Sequence, residues 1–196
     1  MLTFEYKCSQ CEATYEITPE LMLCPECEPG KKSGEPLKGV LEVELNGTPI
    51  SDDPLDYLPI KREFFPQLPV GNTPLWHPER LMKKHEFSKL YFKDDGLNPT
   101  GSLKDRASLL VAAFARKNDI DEVVVASTGN AGSSMSGVGA AAGLKVKLFL
   151  PKTAPHAKMI QSLQYGADLV LAEKNYDQAF TLSIQYSKKF GGMNRN

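Results

Sequence analysis

The sequence predicts an α/β fold in which a parallel sheet lies between layers of helices, behind a small cysteine-bound ribbon. Three observations predict it. Short apolar runs (VVVA at 123–126, KVKLFL at 145–150, DLVLA at 168–172) alternate with segments of helical periodicity. Such alternation builds parallel βαβ units with right-handed crossovers. All four cysteines fall near the start of the chain, as two C-x2-C pairs. Two turns rich in glycine and hydroxyls, NPTGSLKDR (98–106) and STGNAGSS (127–134), each open a helical segment.

The first module is expected over residues 1–45. Cys8, Cys11, Cys24 and Cys27 stand in the spacing C-x2-C-x12-C-x2-C, so each pair closes a tight turn whose thiolates point at one centre. Two such turns face to face give a tetrahedral sulfur site that suits zinc. Four thiolates leave no open position, which makes the expected metal structural rather than catalytic. The competing readings are a disulfide pair in a secreted domain, or four unrelated thiols. ATYEIT (13–18) alternates like a strand, with Tyr15 and Ile17 placed to pack on the turns, and LKGVLEVEL (37–45) reads as a strand returning to the ribbon. Residues 46–70, rich in Pro and charge, read as a linker and extended segment.

The α/β region is expected over 71–196. KLYFK (89–93) alternates as a strand, 102–117 as a helix, 122–126 as a buried strand and 130–142 as a helix. A third strand at 145–150, a helix at 156–165, a fourth strand at 168–172 and a helix at 177–190 follow. The helix after STGN is built of small residues, which lets it approach a sheet or ligand closely. Ser102 is read as the cap of the 102–117 helix, and Asp105 and Arg106 as structural charges in its first turn. The lone Trp76 is expected to pack, and His77, His85 and His156 to lie on the surface or in turns, as do the Lys31-Lys32 and Lys83-Lys84 pairs.

Lys104 opens its helix, where positive dipole charge favours a neutral amine, the form that condenses with an aldehyde. The STGN turn offers backbone N–H groups to an anion. Together they suggest a pyridoxal-phosphate site of which this chain carries part.

Composition narrows the rest. With 41% hydrophobic and 24% charged residues a packed core is feasible and global disorder is excluded. A net charge of −1 argues against nucleic acid as the main partner. Neither a signal peptide nor a membrane-length apolar run is legible, so a cytoplasmic location is expected.

Three segments, LPVGNTPL (68–75), NPTGSLKDR and STGNAGSS, together with FLPKTAPHAKMIQSLQYGADLV (149–170), resemble the threonine synthase family, within the tryptophan-synthase-β-like group of pyridoxal-phosphate enzymes of fold type II. The resemblance covers roughly Pro69 to the C-terminus, and an N-terminal ribbon also occurs in some members. It implies that Lys104 binds the cofactor covalently and later shuttles protons. It further implies that Asn130 hydrogen-bonds the phenolic oxygen of the ring, and that Ser127, Thr128 and the backbone of Gly129, Asn130 and Ala131 receive the substrate α-carboxylate. Asn194 corresponds to an asparagine beside the substrate phosphate. Where the family often has threonine after the asparagine, this chain has Ala131. The implied reaction converts O-phospho-L-homoserine and water to L-threonine and phosphate.

The glycine-rich turn that would hold the cofactor phosphate is not recognisable here. The expectation is therefore either a fragment of a longer enzyme or a truncated relative completed by a partner or a homodimer. In either case an open sheet edge and little turnover in isolation are expected. The alternatives are a cysteate synthase, a threonine or serine ammonia-lyase, or a non-catalytic zinc-ribbon interaction protein with a remnant cofactor domain.

Overall fold

The computed structural model describes residues 2–30 and 36–196, and Lys31-Lys32 lie outside them. The chain divides into two compact units, residues 1–64 and 65–196, so the segment 46–70 is split between them. In the first unit β1 (Thr3–Cys8) is the centre of an antiparallel sheet, flanked by the two-residue β2 (Thr14–Tyr15) and by β3 (Leu41–Asn46). The returning strand thus begins at Leu41 rather than Leu37. Pairing of Tyr6 with Tyr15 and of Cys8 with Leu41 sets the register. Short 3-10 turns lie at Glu28–Gly30 and, in the expected linker, at Pro54–Tyr57 and Arg62–Phe64, where Arg62 pairs with Asp53 at 2.8 Å.

The second unit begins with β4 (Leu75–Trp76), α1 (Glu79–His85) and β5 (Phe92–Lys93). KLYFK is strand only at its last two residues, and these pair antiparallel with β4 outside the main sheet. Their side chains are exposed on both faces, so the alternation in KLYFK does not mark a buried face. Trp76 does not pack either: it is 53% exposed and donates its indole N–H to Asp94 at 2.9 Å.

Then follow α2 (Lys104–Lys117), β6 (Glu122–Ala126), α3 (Asn130–Ala142), β7 (Lys145–Pro151), α4 (His156–Gln164), β8 (Asp168–Ala172), α5 (Tyr176–Phe190) and β9 (Met193–Asn194). The main sheet runs β8-β7-β6-β9, all parallel. Successive residues of a strand face opposite sides. Val124 and Ala126 of β6 and Phe149 of β7 pack with Ala179, Phe180 and Tyr186 of α5. Val146 and Leu148 of β7 face α3 instead. The central strands β6 and β7 are therefore buried on both faces, which explains their apolar runs, while the edge strand β8 is half-buried. The small residues of α3 act as expected: a Cβ on Gly139 would stand 2.4 Å from Val146 Cγ2, so the helix approaches the sheet more closely than any larger residue permits. Among the described residues no helix is long and apolar enough to cross a membrane.

Candidate cofactor site and metal centre

The turn before α2 is held by its own polar side chains. Gly101 donates its N–H to the Asn98 carbonyl at 2.8 Å. The Asn98 side chain, 4% exposed, accepts from the Gly71 N–H at 2.9 Å and donates to the Asp95 carbonyl at 3.0 Å. Asp105 is fully buried one residue into the helix. Its carboxylate takes the Thr100 N–H at 2.8 Å and the Thr100 hydroxyl, and its charge lies at the positive end of α2. Ser102 is not the cap residue itself, which is Leu103, but its hydroxyl does accept the Lys104 N–H at 3.1 Å.

Arg106 grips Asp95 through two hydrogen bonds of 2.8 Å, and Thr73 donates to the same carboxylate. The guanidinium, followed by the Thr73 hydroxyl, holds the Asp95 carboxyl well below the usual carboxylate range. A lowered folded-state value means the contribution is complete above the unfolded value of about 3.9 and is lost as pH falls toward the folded one. Melting temperature followed from pH 5 to pH 2 is therefore expected to fall less steeply for Asp95→Asn than for the parent, with the variant less stable at pH 7. Equal slopes refute the assignment.

All these contacts fix the backbone around Lys104, while its amine makes no hydrogen bond or ion pair among the described residues. The side chain is exposed, at the first position of α2. The second turn has the same character. Ser127 is buried, continues the sheet by donating its N–H to the Phe149 carbonyl at 3.1 Å, and accepts the Gly129 N–H on its hydroxyl at 3.2 Å. Thr128, Gly129 and Ala131 are half-buried, and Asn130 is exposed at the first position of α3. The N–H groups of Thr128, Asn130 and Ala131, and the Asn130 amide, find no partner among the described residues. Helix N-termini leave such donors free, and α3 adds its positive end.

A pair of hydroxyls that sequence reading missed joins the two helices behind these turns. Ser134 donates to Ser108 at 2.8 Å, both fully buried. Ser108 lies four residues after Lys104 and Ser134 four after Asn130, so each site residue shares a helix face with one partner of this bond and stands about 6 Å up its own axis. The (i, i+4) spacing of hydroxyls behind each turn is the only trace of this in the sequence.

Asn194 lies on β9 opposite Val124. Its Oδ1 accepts the Asn196 N–H at 3.0 Å, and its Nδ2 is buried with no partner. Asn196, which sequence reading passed over, takes the Ala126 N–H at 2.6 Å and donates to Ser183 at 2.5 Å.

In the first unit all four cysteines are free, and they converge on one point rather than standing as unrelated thiols. Their sulfurs lie within 4.8 Å of one another, with Cys8 to Cys27 at 3.9 Å and Cys11 to Cys24 at 3.6 Å. Zinc–sulfur bonds of about 2.3 Å demand tetrahedral edges of about 3.8 Å. The Cys8–Cys27 and Cys11–Cys24 edges match that value, and the four-sulfur donor set fits a divalent ion. Gly39 and Val40 staple the two turns. Gly39 donates to Gln10 Oε1 and accepts the Cys24 N–H, both at 2.7 Å, and Val40 accepts the Ser9 N–H at 3.0 Å. With φ +71° and a would-be Cβ 2.8 Å from Cys24 Cβ, position 39 admits only glycine. Burial works to raise the Cys24 thiol, but hydrogen bonds from Tyr15 and the Cys27 and Glu26 backbone outweigh it and hold it at about 6.

A parallel sheet between helices thus carries, at the starts of α2 and α3, an unengaged lysine and a cluster of free N–H groups. The chain matches the pyridoxal-phosphate dependent enzyme family over residues 66–194, and it belongs to that family. Threonine synthase of Methanocaldococcus jannaschii is 30% identical, covering 93% of this chain and 47% of the relative. That of Methanosarcina acetivorans is 31% identical, covering 91% and 45%. The chain thus spans about half the length of these relatives. Among solved structures, a processed threonine deaminase isoform 2 from Solanum lycopersicum superposes with TM-score 0.60 at 25% identity, over 76% of this chain and 42% of that one. O-ureido-L-serine synthase gives TM-score 0.59 at 26% identity, over 64% and 41%. The α/β unit is therefore part of a fold-type-II pyridoxal-phosphate domain.

Proposed function

We propose that this chain forms the lysine-bearing half of a threonine synthase, which converts O-phospho-L-homoserine and water to L-threonine and phosphate. One observation carries the choice within the family. The family match begins at residue 66, whereas the threonine synthase matches cover 93% and 91% of the chain and so run through most of the 1–64 unit. The four-cysteine centre in that unit we assign to structural zinc, on its sulfur geometry.

Pyridoxal phosphate, when bound, supplies an electron sink for carbanion chemistry. The free amine of Lys104 and the free amide of Asn130 fit the aldehyde and phenolic-oxygen end of that cofactor. Lys104 would hold it through Nζ, and the same amine, when free, would carry protons. Asn130 donates to the ring oxygen. The N–H groups of Thr128, Asn130 and Ala131, with the positive end of α3, bind the substrate carboxylate, and the Ser127 hydroxyl keeps the turn in shape through Gly129. Ala131 contributes backbone only. The unpartnered Asn194 Nδ2 offers a donor to the substrate phosphate.

The remaining half of such an enzyme, or a second copy, would close over Lys104. The strongly exposed Leu97 and Leu103 beside it supply apolar surface for that contact. Turnover by this chain alone is accordingly slight. The same reading carries a cytoplasmic location, a free amino-acid substrate and no role for nucleic acid or membrane.

The test incubates the full-length gene product with pyridoxal phosphate, fixes the adduct with borohydride and maps it by mass spectrometry. The label is expected on Lys104 and lost in Lys104→Ala, with phosphate release from O-phosphohomoserine reduced at least a thousandfold. Ammonia release from threonine or serine without phosphate release would favour the ammonia-lyase reading. A folded protein that takes no label refutes the enzyme reading altogether.

A further inference from the structure

We infer that Tyr15 is a positioning residue of the metal centre, its hydroxyl donating to the Cys24 sulfur and setting the donor strength of that one ligand. The inference rests on the zinc assignment above. Tyr15 sits on the two-residue β2, paired across from Tyr6 of β1, and its oxygen lies 3.1 Å from Cys24 Sγ. That contact is its only polar one among the described residues.

Four thiolates around a divalent cation leave a net charge of −2, and each N–H or O–H aimed at a sulfur relieves part of it. Cys11 is exposed, so water can serve it. Cys24 is fully buried and depends on donors from the protein. Tyr15 supplies the only side-chain donor at the centre other than the cysteines themselves, among the described residues. A serine or threonine on β2 is too short to reach across the site, whereas the phenol length spans it.

The test uses the full chain with zinc or cobalt(II) as probe. Tyr15→Phe keeps the ring and removes the donor. Its zinc affinity, measured by competition with a chromophoric chelator, is expected to fall about tenfold, at the lower end of the usual 10–100-fold for outer-shell partners. Removing a hydrogen bond raises the energy of the sulfur lone pairs, so the sulfur-to-cobalt charge-transfer band is expected to shift to longer wavelength. Placing 3-fluorotyrosine at position 15, a stronger donor, is expected to shift it the other way. A residue with only a packing role would alter stability without moving that band in opposite directions.

Tyr15→Phe with unchanged affinity and an unchanged band overturns the inference while leaving the zinc assignment intact. Parent protein that binds neither ion with its four thiols reduced overturns the zinc assignment itself. Should Tyr15→Phe fail to fold, the fluorotyrosine shift alone decides, and a band that stays in place refutes the role.

Discussion

Substitution Cys24→Ser is expected to unfold residues 1–64 and to leave residues 65–196 folded. Among the described residues the first unit has only three buried apolar side chains, Cys8, Cys24 and Ile60, and two of these belong to the four-cysteine cluster. β3 is mostly exposed, with Val43 and Leu45 both above 40%. Such a unit buries too little apolar surface to offset the entropy of ordering its backbone. A tetrathiolate zinc site contributes about 10–16 kcal/mol at neutral pH, which exceeds what any contact in the ribbon can add. Losing one sulfur would also leave the assigned metal with an incomplete donor set. Limited proteolysis is expected to cut the variant throughout 1–64 and to stop near residue 65, and a strong chelator should reproduce that pattern on the parent protein. A metal-free parent whose ribbon resists protease would show that the unit has another source of stability.

Much of this was legible in the sequence because burial and period agree there. VVVA and KVKLFL are strands buried on both faces, DLVLA is a half-buried edge strand, and their boundaries in the structure differ from the expected ones by a residue at most. Lys104 and Asn130 both fall at the first positions of their helices, as the turn chemistry required. The four cysteines converge as their spacing demanded.

What stayed hidden depends on partners far along the chain. β9 is two residues long and has no pattern of its own; it exists because Met193 and Asn194 lie beside Val123 and Val124. KLYFK misled because its alternation faces solvent on both sides. Tyr15 was read as an apolar body, and its hydroxyl acquires a role only when Cys24, nine residues on, folds back to it. The Thr100–Asp105 pair was invisible for the opposite reason. An aspartate in the first turn of a helix has a sufficient local explanation, which conceals that this one is fully buried.

That pair gives Gly137 its importance, and Gly137→Val is expected to damage both stability and cofactor capture. A Cβ at 137 would stand 2.6 Å from Thr100 Cγ2 and 3.3 Å from the Tyr165 ring. Thr100 cannot retreat, because its N–H and hydroxyl are bound to the buried Asp105 and its carbonyl accepts from Gln161 at 3.2 Å. Either α3 moves off the turn or the Thr100–Asp105 cap breaks, and both displace the start of α2 where Lys104 stands. Overpacking of this kind costs roughly 1–3 kcal/mol, at the upper end where the neighbours are held by hydrogen bonds. Gly129→Ala is a stability control, since nothing lies within 4 Å of a Cβ there and its φ of −137° suits any residue. Urea unfolding of the C-terminal unit is expected to show the loss for Gly137→Val and none for Gly129→Ala, with borohydride-fixed cofactor on Lys104 of the full-length gene product reduced alongside. Unfolding midpoints that coincide for the two variants would mean that α3 has room to yield, and that the lysine turn does not depend on its close approach.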